Sequence, residues 1–322
     1  MRIFSTHPLD PDVTRELCKL GDYHVAATPS PQDILRDSLG AEIIVVRAPI
    51  DPQIIRRETG LRALVRHGAG LDMIPIDVAT QVGALVANVP GANAVTVAEH
   101  VVWSALSLLR RNPEVTHDLQ RNGWEAGRQH SVSGREMSGK TLGIIGFGNI
   151  GSQIEKIATR GFGMKIVATT RTPSRLPETV QALTLTELLK TADIVALTCP
   201  LNEETRGLID ASALQNMKPR SVLVNVSRGP VIEETALIDA LKSGHLSGAA
   251  LDVFSSQPLP SDHPLMVLNN VILTPHMAGI TEESMRRMGE GVVKEARLIL
   301  SGELPDNFCN PAVESAYREK FG

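Results

Sequence analysis

Six residues at 146–151, GFGNIG, constrain the fold of this chain more than any other feature. They follow an apolar run at 141–145 that is typical of a buried strand, and they open a segment at 152–160 with helical spacing. In this setting the first glycine permits a tight turn, the second lets the backbone approach a pyrophosphate, and the third lets the helix pack on the strand. The helix N-terminus adds free N–H groups and a partial positive charge. A glycine-rich turn without a ligand is the alternative interpretation. We predict a dinucleotide site that includes Gly146, Gly148, Asn149, Ile150 and Gly151.

The composition is that of an ordinary globular protein and argues against several classes of function. The 322 residues are 42% hydrophobic and 21% charged, and this length suggests two domains. The net charge is −4 without a basic block, so we expect neither nucleic-acid binding nor attachment to an anionic membrane. No apolar run reaches the roughly 18 residues of a membrane span. The N-terminus leads directly into a strand pattern, which is not the pattern of a signal peptide.

The three cysteines, Cys18, Cys199 and Cys309, are far apart in the sequence and follow no pairing pattern. This usage is typical of a reducing compartment and gives no metal-binding spacing. We therefore expect a cytoplasmic protein without a metal site.

Short apolar strands alternate with helical patterns through both halves of the chain, which predicts α/β architecture with parallel sheets. Asp51 before Pro52 is predicted to cap one of the first helices. Segment 114–139 is polar and is predicted to be rich in turns, and the tail from 302 is also polar. The predicted strands are 2–6, 23–27, 43–47, 63–67 and 85–88 in the first half, and 141–145, 165–170, 194–197, 221–226, 247–253 and 271–274 in the second.

This alternation predicts two Rossmann-like domains, each with a doubly wound parallel sheet, and the six strands of the second series suit a dinucleotide-binding sheet. We assign residues 1–99 and 284–322 to a flavodoxin-like, substrate-binding domain, and residues 100–283 to the dinucleotide-binding domain. Long helical patterns at 94–111 and 281–300 would connect the two. A cleft between two such domains is a usual place for a substrate.

Three chemically capable side chains follow strands of the second domain. Arg228, Asp252 and His276 each come just after a predicted strand, so they emerge at the same sheet edge as the glycine turn. Arginine grips a carboxylate with two parallel hydrogen bonds, and histidine exchanges a proton near neutral pH. Hydride transfer to a 2-oxo acid needs both functions, a group that binds the carboxylate and a group that donates a proton. The alternatives are a surface ion pair for Arg228 and a structural role for His276.

Six motifs in order carry a resemblance over nearly the whole chain. Together with the glycine pattern, HGAGLD at 67–72, NAVTVAEH at 93–100, NVSRG at 225–229, LDVF at 251–254 and TPHMAG at 274–279 resemble the D-isomer-specific 2-hydroxyacid dehydrogenases. This is the family of phosphoglycerate dehydrogenase and the glyoxylate/hydroxypyruvate reductases. The resemblance implies two Rossmann-like domains with a hinged cleft, a homodimer, and reversible hydride transfer between NAD(P)H and a small 2-oxo acid.

The resemblance also implies roles for individual residues. Arg228, His276 and Gln257 would be catalytic. Substrate-binding residues would be Arg47, Gly68, Ala69, Gly70 and Arg228, with the N–H groups of Ala69 and Gly70 binding the substrate carboxylate. A structural role is the alternative for Arg47. Beyond the glycine pattern, cofactor-binding residues would be Thr170, Arg171, Thr172, Cys199, Pro200, Val226, Ser227, Asp252, His276, Ala278 and Gly279.

The end of the second strand of the dinucleotide domain bears on the choice of cofactor. NAD enzymes place an acidic residue there to bind the ribose 2′-hydroxyl, whereas this chain has Thr170, Arg171 and Thr172. A guanidinium can grip a 2′-phosphate that a carboxylate would repel. We predict a preference for NADPH, with NAD accepted if Arg171 instead stacks on adenine or faces solvent.

Gln257 is the second departure, since the family usually has glutamate there. Glutamine can orient the His276 ring but adds no negative charge, so His276 should be less basic than in relatives with glutamate. Glutamine at this position also resembles the sequences of the formate dehydrogenase branch, where hydride transfer requires no proton. A dinucleotide-sensing protein with little turnover, like the corepressor branch of the family, is a further alternative.

Overall fold

The computed structural model describes residues 1–321, and these form two compact units. The first contains Met1–Asn93 and the C-terminal segment from Ile280, and the second is Ala94–Gly279. The chain thus changes units after residues 93 and 279, a few residues before the predicted boundaries at 99 and 283. Each boundary lies just before a long helix, so each helix belongs wholly to one unit.

The strands of the described chain are short and their side chains are mostly buried. They are β1 (Arg2–Ser5), β2 (Asp22–Val25), β3 (Ile43–Val46), β4 (Ala63–Arg66), β5 (Leu85–Ala87), β6 (Thr141–Ile145), β7 (Lys165–Thr169), β8 (Val180–Ala182), β9 (Ile194–Leu197), β10 (Val222–Asn225), β11 (Gly248–Leu251) and β12 (Val271–Leu273).

Helices connect these strands, and short 3₁₀ turns lie between some of them. The helices are α1 (Pro11–Leu20), α2 (Pro31–Asp37), α3 (Pro52–Arg57), α4 (Ile76–Gln81), α5 (Ala94–Leu109), α6 (Asn112–Asn122), α7 (Trp124–Arg128), α8 (Asn149–Phe162), α9 (Leu185–Thr191), α10 (Ala211–Asn216), α11 (Glu234–Lys242), α12 (Glu282–Leu300) and α13 (Glu314–Phe321). Within residues 1–321, none of them is both long and apolar enough to cross a membrane.

The first unit contains a five-stranded parallel sheet in the order β2-β1-β3-β4-β5. Apolar residues cover both faces of the sheet, as parallel sheets require. Asp51 caps α3, because its carboxylate accepts a hydrogen bond from the Gln53 N–H at 2.7 Å; this prediction is confirmed. The C-terminal segment binds the outer strand β5, where the Asn310 side chain accepts from the Val86 N–H and donates to the Ala84 carbonyl.

The second unit contains a seven-stranded parallel sheet in the order β12-β11-β10-β9-β6-β7-β8. Separate apolar clusters cover its two faces. The predicted class, two α/β units with doubly wound parallel sheets, is confirmed. The sequence predicted six strands and missed β8, which lies at the sheet edge with two of its three residues exposed and so lacks an apolar run.

The segment after α5 differs from its prediction, because α6 and α7 occupy much of a region expected to be turns. Arg111, with φ of 55°, ends α5, and Pro113 lies in the first turn of α6. Glu114 is the buried residue of α6, so this helix has no apolar stripe that a sequence could reveal. The polar tail likewise contains α13.

Candidate active site

The glycine pattern follows β6, at the point where the strand order of the second sheet reverses. Ligands bind at such points in doubly wound sheets, outside the carboxyl ends of the strands. Gly146 has φ of 91°, and a Cβ there would lie 2.6 Å from the backbone of Cys199. At Gly151 a Cβ would lie 3.1 Å from the Gly146 carbonyl oxygen. Glycine is therefore needed at both positions for the turn and for the packing of α8.

The amino end of α8 is open for an anion. Gly148 caps this helix without a side-chain hydrogen bond, and a Cβ at Gly148 would meet nothing within 4 Å. The N–H groups of Asn149, Ile150 and Gly151 donate to no acceptor in the described chain. Free N–H groups and the helix dipole suit a phosphate, so this end fits the pyrophosphate of a dinucleotide.

A cleft of about 450 Å³ begins at this turn. Its lining includes many of the predicted cofactor residues, namely Gly146, Gly148, Thr170, Arg171, Thr172, Cys199 and Pro200. Burial raises the pKa of the Cys199 thiol, which is therefore neutral at pH 7 and forms part of the wall.

Sequence reasoning missed the four polar residues that the segment after β9 brings to the same cleft: Thr198, Asn202, Glu204 and Thr205. Thr198 donates from Oγ1 to the Gly146 carbonyl and so holds the glycine turn. The missed residues follow β9, and the rule that ligands gather after parallel strands could have pointed to them. Among the described lining residues, Glu204 is the one carboxylate, and it comes from this segment and not from the end of β7.

Arg228 follows β10 and is held by its neighbours. The Asn225 amide donates to the Arg228 carbonyl at 3.0 Å, and Asn225 Oδ1 accepts from the Ser227 N–H at 3.0 Å. Arg228 Nη1 donates to the Ser227 carbonyl at 2.6 Å. The buried Asn225 side chain thus fixes the turn that presents the guanidinium.

Gly229 joins this turn to the segment after β11. A Cβ at Gly229 would lie 2.0 Å from the carbonyl carbon of Phe254, so the two backbones touch. Gln257 lies three residues beyond Phe254. The Arg228 turn and the segment that bears Gln257 are therefore in direct contact, and only glycine allows it.

Asp252 organises the segment that bears His276. Asp252 is 2% exposed, and its Oδ1 accepts from the Thr274 hydroxyl at 2.7 Å and from the Met277 N–H at 2.8 Å. Its Oδ2 accepts from the Ala278 N–H at 2.9 Å. The contact of Asp252 with the cofactor stays a prediction, and the three hydrogen bonds give the carboxylate a further role. In this structure Asp252 positions the 274–278 segment.

His276 and Gln257 lie together at the carboxyl ends of β12 and β11. His276 has φ of 55°, and its Nδ1 is 3.3 Å from Gln257 Oε1. Both side chains are exposed on this unit and border a cavity of about 620 Å³ with an apolar wall that includes Phe254, Leu259 and Met266. Since an amide oxygen only accepts, Nδ1 carries the proton of this hydrogen bond, and Nε2 is the ring nitrogen that can take up and release a second proton.

The remaining predicted cofactor residues of this unit lie close to these strand ends. Ser227 and Ala278 are buried, Val226 and Gly279 are partly buried, and none of them lines the glycine cleft.

The first unit presents the loop after β4, which contains Gly68, Ala69 and Gly70. Arg66 donates from Nε to the Gly70 carbonyl at 3.0 Å and from Nη1 to the His67 carbonyl at 2.7 Å. The Asn88 amide donates to the Ala69 carbonyl at 2.8 Å. With their carbonyls held in this way, Ala69 and Gly70 have N–H groups that donate to nothing in residues 1–321. Two free adjacent N–H groups form a site for a carboxylate.

Sequence reasoning missed Arg66 and Asn88. Arg66 is the last residue of β4 and was part of a predicted strand, with no pattern to separate it from an ordinary strand end. Its role depends on where the loop folds back, which the sequence alone does not specify.

Arg47 follows β3 at the point where the first sheet reverses its order, between β1 and β3. Thr6 Oγ1 accepts from the Arg47 N–H at 2.9 Å, and Arg47 Nη1 donates to the Pro8 carbonyl at 2.7 Å. Burial lowers the pKa of His7 nearby, and the charges of Arg47 and Arg66 lower it further. This edge of the first sheet therefore carries positive potential.

His67 lies behind the loop and is 3% exposed. Burial, with Arg47 and Arg66 nearby, lowers the pKa of His67 to about 3. Its Nε2 has no hydrogen-bond partner among the described residues. His67 is therefore a neutral, buried side chain and not a proton donor at pH 7.

Known proteins match both the fold and these motifs. Residues 102–278 match the family model described as "D-isomer specific 2-hydroxyacid dehydrogenase, NAD binding domain". The D-3-phosphoglycerate dehydrogenase of Methanocaldococcus jannaschii is 36% identical over 328 residues, which cover 100% of this chain and 61% of that protein. This chain thus spans less than two thirds of that relative. The glyoxylate reductase of Aeropyrum pernix is 33% identical over 335 residues, with 99% of each protein covered.

Two solved structures agree with this grouping. A protein from Thermus thermophilus has a TM-score of 0.87 at 33% identity, covering 96% of this chain and 99% of that one. An acyclic imino acid reductase, Bsp5, in complex with NADPH and D-Arg has a TM-score of 0.86 at 28% identity, covering 96% of this chain and 100% of that one. The resemblance drawn from the motifs is confirmed, and the chain belongs to the D-isomer specific 2-hydroxyacid dehydrogenase family.

Proposed function

We propose that this protein reduces a small 2-oxo acid with NADPH and, in reverse, oxidises the D-2-hydroxy acid. The observation that supports this most is the presence of Arg228 and the His276–Gln257 pair at neighbouring strand ends of the sheet that also bears the glycine cleft. The names of two relatives, a glyoxylate reductase and a D-3-phosphoglycerate dehydrogenase, support the same reaction class.

Each side chain has a separate role in the proposed reaction. A bound nicotinamide would supply hydride to C2 of the substrate. Arg228 would bind the carboxylate and polarise the 2-oxo group, because a guanidinium stays charged and grips planar oxygens. His276 would donate the proton from Nε2 to the substrate oxygen, while Gln257 accepts from Nδ1 and orients the ring.

In the first unit, we assign the free N–H groups of Ala69 and Gly70 to the substrate carboxylate. Gly68, with φ of 135°, permits the turn that exposes them. Arg47 would bind a second acidic group if the substrate has one, because a half-buried guanidinium attracts anions strongly.

Three features support a preference for NADPH. The end of β7 brings Thr170, Arg171 and Thr172 to the cleft and no carboxylate. Arg171 could bind a 2′-phosphate. The similar imino acid reductase was solved with NADPH. Glu204, in the same cleft, is the competing charge, and it could bind a ribose hydroxyl of NADH.

The cofactor experiment compares Arg171→Ala with Glu204→Gln, both on the cleft wall. Removing a charge-assisted contact should cost about 1.5–3 kcal/mol, which lowers kcat/KM for NADPH roughly 10- to 100-fold. The value for NADH should change little in Arg171→Ala, and Glu204→Gln should not reduce the preference for NADPH. A wild-type protein that clearly prefers NADH would contradict the proposal.

The activity experiment measures NADPH oxidation with glyoxylate, hydroxypyruvate and phenylpyruvate. Arg228→Lys keeps the charge but loses the planar fork, and His276→Asn removes the proton donor. Both should lower kcat/KM by at least roughly 100-fold, in the range typical of lost acid–base catalysis. Tight NADPH binding without turnover of any acid would favour the sensing function instead.

Formate oxidation is a second candidate, and Gln257 beside His276 favours it, because that reaction needs an oriented ring but no proton. It is tested by supplying formate with NAD⁺ or NADP⁺. Turnover of formate that exceeds turnover of every 2-oxo acid would replace our first proposal.

We also propose a homodimer in the cytoplasm. On the second unit, Trp103, Trp124 and Val132 are 50%, 67% and 91% exposed, and a second copy would cover these apolar side chains. All three cysteines are free, in keeping with a reducing compartment. Light scattering of the purified protein at micromolar concentration tests the dimer.

A further inference from the structure

A second charged cavity lies at the opposite edge of the second sheet from the glycine cleft. Its volume is about 280 Å³, and its walls come from the segments before β10, β11 and β12 and from the end of α5. Polar groups dominate one side of it: Arg111, Arg135, Arg220, Ser133, Ser247 and Asn270. A four-residue strand is about 13 Å long, so this cavity is a separate place from the cofactor cleft.

Positive charge at this cavity is only partly neutralised. Arg111 pairs with Glu114, with 3.0 Å between Nε and Oε1. Arg135 donates to the Ser247 hydroxyl at 2.7 Å. In the described chain no carboxylate lies within 4.0 Å of Arg135 or Arg220. The cavity lining therefore contains three guanidinium groups and one carboxylate.

This arrangement carries an electrostatic cost. Burial lowers the pKa of Arg135, and the charge of Arg220 lowers it further. The acidic contribution to the pKa of Arg135 comes from Asp193, whose carboxylate is 3.1 Å from Lys218 Nζ and already paired. Like charges held together in a cavity favour an anion that neutralises both.

Two of the three arginines at this cavity also have a strained backbone. Arg111 and Arg220 have φ of 55° and 66°, and the third residue other than glycine with positive φ among residues 1–321 is His276. A side chain in this conformation is strained, and glycine would avoid the strain. Such strain clusters at functional sites, and here two of the three strained residues border one cavity.

We propose that this cavity binds a small oxyanion with at least two negative charges, such as a phosphate, a phosphate ester or a di- or tricarboxylate. The forks of Arg135 and Arg220 would each grip two oxygens, and the second N–H of the Asn270 amide would add a donor. The Ser133 and Ser247 hydroxyls donate to backbone carbonyls and accept from Arg111 and Arg135, so they hold these two arginines in place. The proposal depends neither on the reaction that the protein catalyses nor on its cofactor.

Calorimetric titration tests it with inorganic phosphate, pyrophosphate and citrate, at constant ionic strength set with sodium chloride. Arg220→Gly removes the guanidinium and keeps a residue that accepts positive φ, and Arg135→Gln keeps a donor for Ser247. Each should weaken binding of the preferred anion by at least about tenfold, the loss expected for a charge-assisted contact. The preferred probe distinguishes a phosphate site from a carboxylate site.

Two control variants distinguish binding at this cavity from binding elsewhere on the protein. Arg121→Gln removes a charge at the far end of α6, about 10–15 Å along that helix from the cavity residues, and Arg171→Ala alters the cofactor cleft. Both should leave the affinity within about twofold, since neither touches the cavity. Binding that is lost in Arg171→Ala but kept in Arg220→Gly would overturn the proposal, as would the absence of binding by all three anions at the millimolar upper limit of the titration. Thermal unfolding checks that each variant is folded, and NADPH titration adds a second check for the variants outside the cofactor cleft.

Discussion

Arg66 anchors the loop at 68–70 by donating to three carbonyl groups at once. It donates to the carbonyls of Val46, His67 and Gly70 at 2.7–3.0 Å. A lysine in its place would keep the charge but could not span these acceptors, because an ammonium is a point charge without a fixed fork. The free N–H groups of Ala69 and Gly70 would then lose their fixed direction.

We therefore predict that Arg66→Lys raises KM for the 2-oxo acid about 10-fold or more, the equivalent of losing one to two hydrogen bonds. Steady-state kinetics with saturating NADPH measures this. The Kd of NADPH serves as the control and should be unchanged, because the glycine cleft belongs to the other unit. An unchanged KM would show that the loop does not need its arginine.

Gln257→Glu tests how the His276 ring is tuned. The new carboxylate would lie about 3.3 Å from Nδ1 and favour the protonated ring, which raises the pKa of His276. Reduction needs that proton, so activity should persist to a pH higher by about one unit. The pH profile of kcat/KM for reduction measures the shift. A profile that coincides with the wild type would refute the tuning role of position 257.

The roles of individual residues can be predicted in part from the sequence. Glycines before a helix, and an arginine and a histidine after strands, have a physical reason to be where they are, and the structure places them at strand ends as expected. Arg66, Asn88 and Glu204 were missed because their contacts form only when distant loops fold back. For Asp252 the sequence predicted a cofactor contact, which stays a prediction, but not its hydrogen bonds with the Thr274 hydroxyl and the Ala278 N–H.

At the scale of elements, Gly229 couples two turns that follow neighbouring strands. Gly229→Ala would force a methyl group against the Phe254 backbone, since the Cβ position is 2.0 Å from its carbonyl carbon. Overpacking of this kind costs roughly 1–3 kcal/mol and separates Arg228 from the Gln257 segment. We predict lower stability in urea and a loss of kcat that exceeds any change in Kd for NADPH.

Gly161→Ala in α8 is the matched control. A Cβ there meets nothing within 4 Å, and the residue is helical. Alanine should stabilise the protein by about 0.5–1 kcal/mol through its helix propensity. Equal destabilisation by both substitutions would refute the role assigned to Gly229.

Helices and strands are predicted correctly where burial produces a recognisable pattern of apolar residues. The buried strands β3 and β9 have four apolar residues in a row and were located from the sequence. Strand β8 and helix α6 were missed, because each buries a single residue and tertiary contacts decide its structure. The wrong expectation of turns after α5 has the same cause.

For the whole molecule, His67 links stability to pH. Its pKa is about 3 in the folded protein against an ordinary value of 6.5, so the unfolded chain binds an extra proton between these values. Its contribution to stability is therefore fully present above pH 6.5. Below that pH it falls by up to about 1.4 kcal/mol for each pH unit. Urea unfolding at a series of pH values from slightly alkaline to mildly acidic measures this slope.

His67→Gln should flatten the slope, whatever its effect at neutral pH. His7 and His100, whose pKa values burial also lowers, would leave a remaining slope of the same sign. At alkaline pH the two proteins should show parallel stability curves. A variant as acid-sensitive as the wild type would remove His67 as the cause.

The loop at 68–70 has a consequence for how such a protein can diversify. In the proposed function its main-chain N–H groups bind the carboxylate that every 2-oxo acid shares, so on the first unit no side chain is needed for that contact. Neighbouring side chains such as Leu71 and Arg47 are then free to discriminate between acids by their variable portion. Libraries randomised at these two positions should yield enzymes with altered preferences that still act on acids of the same general class.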